Sequence, residues 1–161
     1  MPPKGSKQQK CTAETSDDPP KKKPSPTLET PAVVLGSNFK PKTPIDHLCV
    51  AAEKGDLSSI TSLLDRGVDV NSAGGMNSLP PLEFAVMYGR LDAVRLLLDR
   101  GADPNGGENG FLGICAHKGK VEIAKLLLSR GADWRKKDVN NENALDIARE
   151  YGNEEVAALF K

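Results

Sequence analysis

Aromatic side chains are scarce, at 4% of 161 residues: four Phe, two Tyr and one Trp. Compact cores draw much of their buried area from such rings. Here Leu, Ala and Val must supply it instead, which suits thin stacked helices. Cysteine is also sparse and odd in number, with Cys11, Cys49 and Cys115 far apart and no CxxC pair. That pattern argues against a disulfide framework or a zinc site and fits a reducing compartment. No apolar run approaches the roughly 18 residues of a membrane span, and the N-terminus lacks a signal-peptide apolar core. Basic and acidic residues balance at 22 each, so the whole chain has no electrostatic bias toward nucleic acid or membrane. A soluble, cytoplasmic protein with no cofactor is expected.

That balance conceals two segments. Residues 1–42 hold 8 of the 12 prolines and 8 Lys against 4 acidic residues, leaving 14 basic and 18 acidic residues for 43–161. From Met1 to Thr30 almost no apolar side chain is present to offset the entropy of ordering, so a disordered tail is expected. Its one apolar cluster, Val33-Val34-Leu35 with Phe39, is expected to pack on the body or do nothing, with a docking peptide as the alternative. Pro19-Pro20-Lys21-Lys22-Lys23-Pro24 reads as a solvated charge run. Its alternative reading is a nuclear-import signal with Ser25-Pro26 as a phosphorylation site, which would add the nucleus as a second compartment.

The body is periodic. Gly55, Gly89, Gly119 and Gly152 each separate two apolar stretches, at spacings of 34, 30 and 33, and a further glycine follows the first three by 12 residues, at Gly67, Gly101 and Gly131. Between each pair the apolar positions recur at helical spacing, as in Leu91, Val94, Leu97 and Leu98, which makes one buried stripe. The closing glycine suits a left-handed helix end, with Arg66, Arg100 and Arg130 complementing the helix dipole. A shorter helix precedes each opening glycine: Leu48–Ala52, Leu82–Val86, Leu112–Ala116 and Leu145–Arg149. The first begins at Thr43-Pro44, an N-cap followed by proline at the first helical position.

This period, with Arg-Gly-Ala-Asp-Pro-Asn at 100–105 and Arg-Gly-Ala-Asp-Trp at 130–134, resembles the ankyrin repeat. The resemblance implies an all-α solenoid of four helix–turn–helix repeats, at about 43–76, 77–108, 109–139 and 140–161, with short β-turn fingers between them. The family's Thr-Pro-Leu-His opening is altered throughout. Asp46, Pro80, Gly110 and Asn143 stand at the Thr position and Cys49, Glu83, Gly113 and Asp146 at the His position. The hydrogen bonds that this motif usually makes between repeats are therefore in question.

Terminal repeats must tolerate solvent, because each repeat is covered only by its neighbours. The fourth and seventh positions after the opening glycine are Ser59 and Ser62 in copy one, but Ala93 and Leu96, Ile123 and Leu126, Val156 and Leu159 afterwards. The second and ninth become Glu154 and Lys161 only in copy four. Copies one and four thus read as caps, and four repeats as the whole array.

No catalytic or metal site is legible. His47 and His117 have no ligand at metal spacing, Cys49 and Cys115 read as buried residues, and Gly106-Gly107-Glu108-Asn109-Gly110 lacks phosphate-loop spacing. Trp134 is expected to pack on the neighbouring turn.

The ankyrin resemblance implies that a partner protein binds the concave face of turn tips and first helices. Those positions are Glu53, Lys54, Met87, Tyr88, His117, Lys118, Glu150 and Tyr151, with tip residues Met76, Asn77, Glu108, Asn109, Val139, Asn140 and Glu142. A monomeric scaffold or adaptor, not an enzyme, is expected. The alternative is a nuclear or nucleic-acid-associated regulatory factor using the basic tail, which lacks arginine and interleaved aromatics. From Gly101 to Leu112 there are 11 steps, against 15 from Gly67 to Leu82 and 14 from Gly131 to Leu145. This shortening predicts a notch between repeats two and three, exposing Met87, Tyr88, His117 and Lys118.

Overall fold

The computed structural model describes residues 40–75, 78–107 and 110–161. The expectations for the tail, for Val33–Phe39 and for Met76, Asn77, Glu108 and Asn109 lie outside the described residues.

Eight helices form among the described residues, in four pairs: α1 (Pro44–Lys54) with α2 (Leu57–Asp65), and α3 (Pro81–Met87) with α4 (Leu91–Asp99). Then follow α5 (Phe111–Lys118) with α6 (Val121–Ser129), and α7 (Ala144–Glu150) with α8 (Glu154–Ala157). First helices stack as α1 on α3, α3 on α5 and α5 on α7, while α2, α4, α6 and α8 stack in a second layer. This is the helix–turn–helix solenoid implied by the sequence. Its fingers are brief: Gly74 and Leu79 exchange backbone hydrogen bonds of 3.0 and 3.2 Å, and Asp138 N–H donates to Glu142 O at 2.9 Å.

Local chemistry sets the helix ends. Thr43 Oγ1 accepts from Asp46 N–H while the Asp46 carboxylate accepts from Thr43 N–H, a reciprocal box that starts α1. Asp46 also accepts from Gly75 N–H at 2.8 Å. That bond, more than those from Thr43 and Lys42, lowers its pKa to about 2 and keeps it ionised. Asn143 and Asp146 form the same box on α7. All four opening glycines have positive φ, from 65 to 75°, and the three closing ones lie at 86 to 92°. Such backbone favours glycine because it has no Cβ. The first three opening glycines have a second reason, for each is overlain by a side chain from the next repeat. A Cβ there would meet Arg90 Cδ at 3.1 Å from Gly55, Lys120 Nζ at 3.2 Å from Gly89 and Asn153 Oδ1 at 2.9 Å from Gly119.

The core is one apolar strip between the two layers, with Leu48, Ile60, Phe84, Leu97 and Leu127 fully enclosed. At the fourth position Ala93, Ile123 and Val156 are buried while Ser59 is half-buried, and at the seventh Ser62 is exposed, so the cap pattern shows as a graded difference in burial. Leu96, Leu126 and Leu159 are only half-buried, so the seventh position lies at the margin of the interface. At the other end Glu154 and Lys161 are exposed, and Phe160 turns inward to stack on half-buried Trp134, ring centroids 6.1 Å apart.

Candidate functional site: the loop and first-helix face

The loops carry the hydrogen bonds that the altered repeat opening leaves in question. Asn71 donates to Gly101 O at 3.2 Å and accepts from Asp103 N–H at 2.9 Å. One repeat on, Asn105 donates to Gly131 O at 3.2 Å and accepts from Asp133 N–H at 2.7 Å. At the opposite end of the repeats, Arg90 Nε donates to Glu53 O at 2.9 Å and Asn153 Nδ2 to Ala116 O at 2.6 Å and His117 O at 3.1 Å. On the second-helix layer, Arg100 pairs with Asp65 at 2.7 Å and Arg130 with Asp99 at 2.6 Å. These arginines therefore reach back to the preceding repeat besides lying at helix ends.

The Asn71 and Asn105 links were missed by sequence reasoning, although both stand four residues after a closing glycine. The third copy has Arg135 there, which breaks the recurrence. Asn105→Ala is expected to cost about 1–2 kcal/mol, because it removes two hydrogen bonds at once, to Asp133 N–H and Gly131 O. Arg100→Ala, which breaks a pair with half-exposed partners, should cost less than about 1 kcal/mol. Urea midpoints at unchanged m-value check both.

The sequence-predicted face divides into two kinds of position. Glu53, Met87, Tyr88, His117 and Tyr151 are half-buried, whereas Lys54, Lys118 and Glu150 are exposed. Tyr88 and Met87 are thus less open than the sequence suggested. The Tyr88 hydroxyl hydrogen-bonds the Glu53 carboxylate; burial first, and then that carboxylate, raises the Tyr88 pKa. Burial likewise raises Glu53. His117 meets Tyr151 edge to face, with centroids 4.3 Å apart and planes at 81°. Burial, and then Lys118, lowers the His117 pKa, which favours the neutral ring. Two cross-repeat couples, Glu53–Tyr88 and His117–Tyr151, therefore recur at one end of the first helices.

The third loop is held from within. The Asp138 carboxylate accepts from Asn140 N–H at 2.8 Å and Glu142 N–H at 3.0 Å, leaving Val139 projecting with 67% of its surface exposed. The expected notch is displaced. A cavity of about 500 Å³ does open beside the short loop, but Leu79, Pro80, Leu82, Glu83, Gly106 and Phe111 line it, and Met87, Tyr88, His117 and Lys118 do not. Shortening the loop opens space at the helix starts that the loop adjoins. The predicted residues sit at the helix ends, one helix length away.

Other chemistry is limited. Cys49 and Cys115 are fully buried, which pushes both thiols up to about 12 and suppresses the nucleophilic thiolate. Among the described residues no group of three or more His, Cys, Asp and Glu side chains could hold a metal ion, and no helix is long and apolar enough to cross a membrane.

Stacked helix pairs with a continuous row of side chains along one face define the class: a helical repeat array that presents a surface. A family model described as ankyrin repeats in three copies matches residues 35–108, and a single ankyrin-repeat model matches residues 112–139. The chain belongs to the ankyrin-repeat family, whose members are generally protein–protein interaction modules. No curated protein matches the chain.

Proposed function

We propose that this protein is a scaffold or adaptor, not an enzyme, that binds a partner protein on the concave face of its ankyrin array. It acts as a monomer in the cytoplasm, with the nucleus as a second compartment, and needs no cofactor. The recurrence of Glu53–Tyr88 and His117–Tyr151 at one register supports this reading most. Partly buried tyrosines held by a cross-repeat partner are preorganised and lose little side-chain freedom on binding, and tyrosine is enriched in interface hot spots. Exposed Lys54, Lys118 and Glu150 around them supply a polar rim.

A comparative pull-down from native extract tests the face. Tyr88→Ala and Tyr151→Ala should each reduce capture of the same partner by about tenfold or more, the range of a moderate hot spot. Arg95→Ala, on the exposed side of α4, should leave it unchanged. Loss with the α4 variant and retention with both tyrosine variants would place the partner on the other layer.

A further inference from the structure

The three inter-repeat loops begin with one shared turn. Asp69, Asp103 and Asp133 each accept a hydrogen bond from the backbone two residues on, at Asn71, Asn105 and Arg135. Their carbonyls accept from the residue after that, namely Ser72, Gly106 and Lys136. Those three positions are structurally equivalent. Lys136 uses its place to reach back across the preceding loop, donating from Nζ to Asn105 O at 2.8 Å and Gly107 O at 3.1 Å. The cleft between the second and third loops is thus spanned by a lysine of the chain itself.

Among the described residues the preceding cleft has no such side chain, because the equivalent residue is Gly106. Here lies the cavity of about 500 Å³. Its lining includes Asn71, the counterpart of Asn105, and the acidic residues Glu83 and Asp103, with Leu79, Leu82 and Phe111 as apolar walls. Among the described residues no basic one lines it. Glu83 is only 4% exposed, and its carboxylate stands 3.0 Å from where a Cβ on Gly107 would lie. An aliphatic stem with a cationic tip matches both the walls and the charge.

We infer that the cleft between the first and second loops receives a lysine side chain presented by the partner protein, in the manner that Lys136 spans the next cleft. The inference rests on the loops belonging to the partner-binding face, and it names the chemistry of one subsite there.

The test is an NMR titration of the full chain with N-acetyl-lysine N-methylamide, using N-acetyl-norleucine N-methylamide as the uncharged control. The lysine probe should shift the Gly106, Gly107, Glu83 and Asn71 amides saturably at millimolar concentration, on the order of 1–10 mM, and the norleucine probe should not. Gly106→Lys should weaken the probe at least about tenfold by placing the chain's own ammonium in the cleft. Its φ is not left-handed, and a Cβ there would meet Asp103 O and Phe111 Cζ at 3.4 Å and Phe111 Cε2 at 3.6 Å, ordinary contact distances at which a side chain is sterically tolerable. Should that variant not fold, Glu83→Gln provides the second arm, with a loss of about threefold or more, while Gly106→Ala should keep the response. Equal shifts with both probes, no shift with either, or unchanged binding in every folded Gly106→Lys or Glu83→Gln variant would overturn the inference. So would probe affinity that rises when Lys21, Lys22 and Lys23 are replaced by glutamine, because the chain's own N-terminal segment would then be the occupant. A failed titration beside a Tyr88→Ala variant that still loses its partner removes this subsite and leaves the proposed function standing.

Discussion

Phe84→Ala is expected to destabilise the array by about 3–5 kcal/mol, the range for truncating a buried aromatic ring. Phe84 is fully enclosed on α3, which packs on α1, α4 and α5 and so joins three other helices. A repeat array depends on nearest-neighbour interfaces, so the loss should uncouple the first pair of helices from the later ones. Urea unfolding followed by circular dichroism should show a much lower midpoint, with a broadened or split transition. A loss below about 1 kcal/mol with a single sharp transition would mean that the interface relaxes far better than close packing allows.

Gly119→Ala should cost about 3 kcal/mol, whereas Gly131→Ala should cost about 1–2 kcal/mol, the penalty of a left-handed backbone for a residue with a Cβ. Both glycines have positive φ, at 65° and 87°. Only Gly119 is covered from the next repeat: its added Cβ would lie 2.9 Å from Asn153 Oδ1, whereas nothing lies within 4 Å at Gly131. Moving Asn153 would break its bonds to Ala116 O and His117 O, each worth roughly 1 kcal/mol. The difference between the two variants isolates the inter-repeat contact from the backbone term. Equal losses would show that Asn153 shifts without consequence.

The glycines also show how far the sequence could be read. Their spacing located four helix pairs because the left-handed turn that each pair requires is a local property of the chain. The cap pattern was legible for the same reason: Ser62, Glu154 and Lys161 are polar where equivalent positions are not. Interactions between repeats were harder to see, since Asp65 and Arg100, or Asn71 and Gly101, lie 30 or more residues apart. Nothing in Arg100 itself distinguishes a group that complements its own helix from one that reaches the previous repeat. The short loop was legible as a length, but length alone could not say which helix end would be opened. The cavity near Glu83, and the half-burial of Met87 and Tyr88, depend on how adjacent repeats are placed. Lys136 was unremarked because its meaning depends on the equivalence with Gly106, which the shared aspartate turns establish.

Docking of a partner on the loops and first helices can be checked by hydrogen–deuterium exchange of the full chain, free and bound to the partner captured in the pull-down. Slowed exchange is expected in the loops around Asn71 and Gly106 and at the ends of α3 and α5 near Tyr88 and His117, with α4 and α6 unchanged. Protection confined to α4 and α6, with the loops and first helices unaffected, would contradict it.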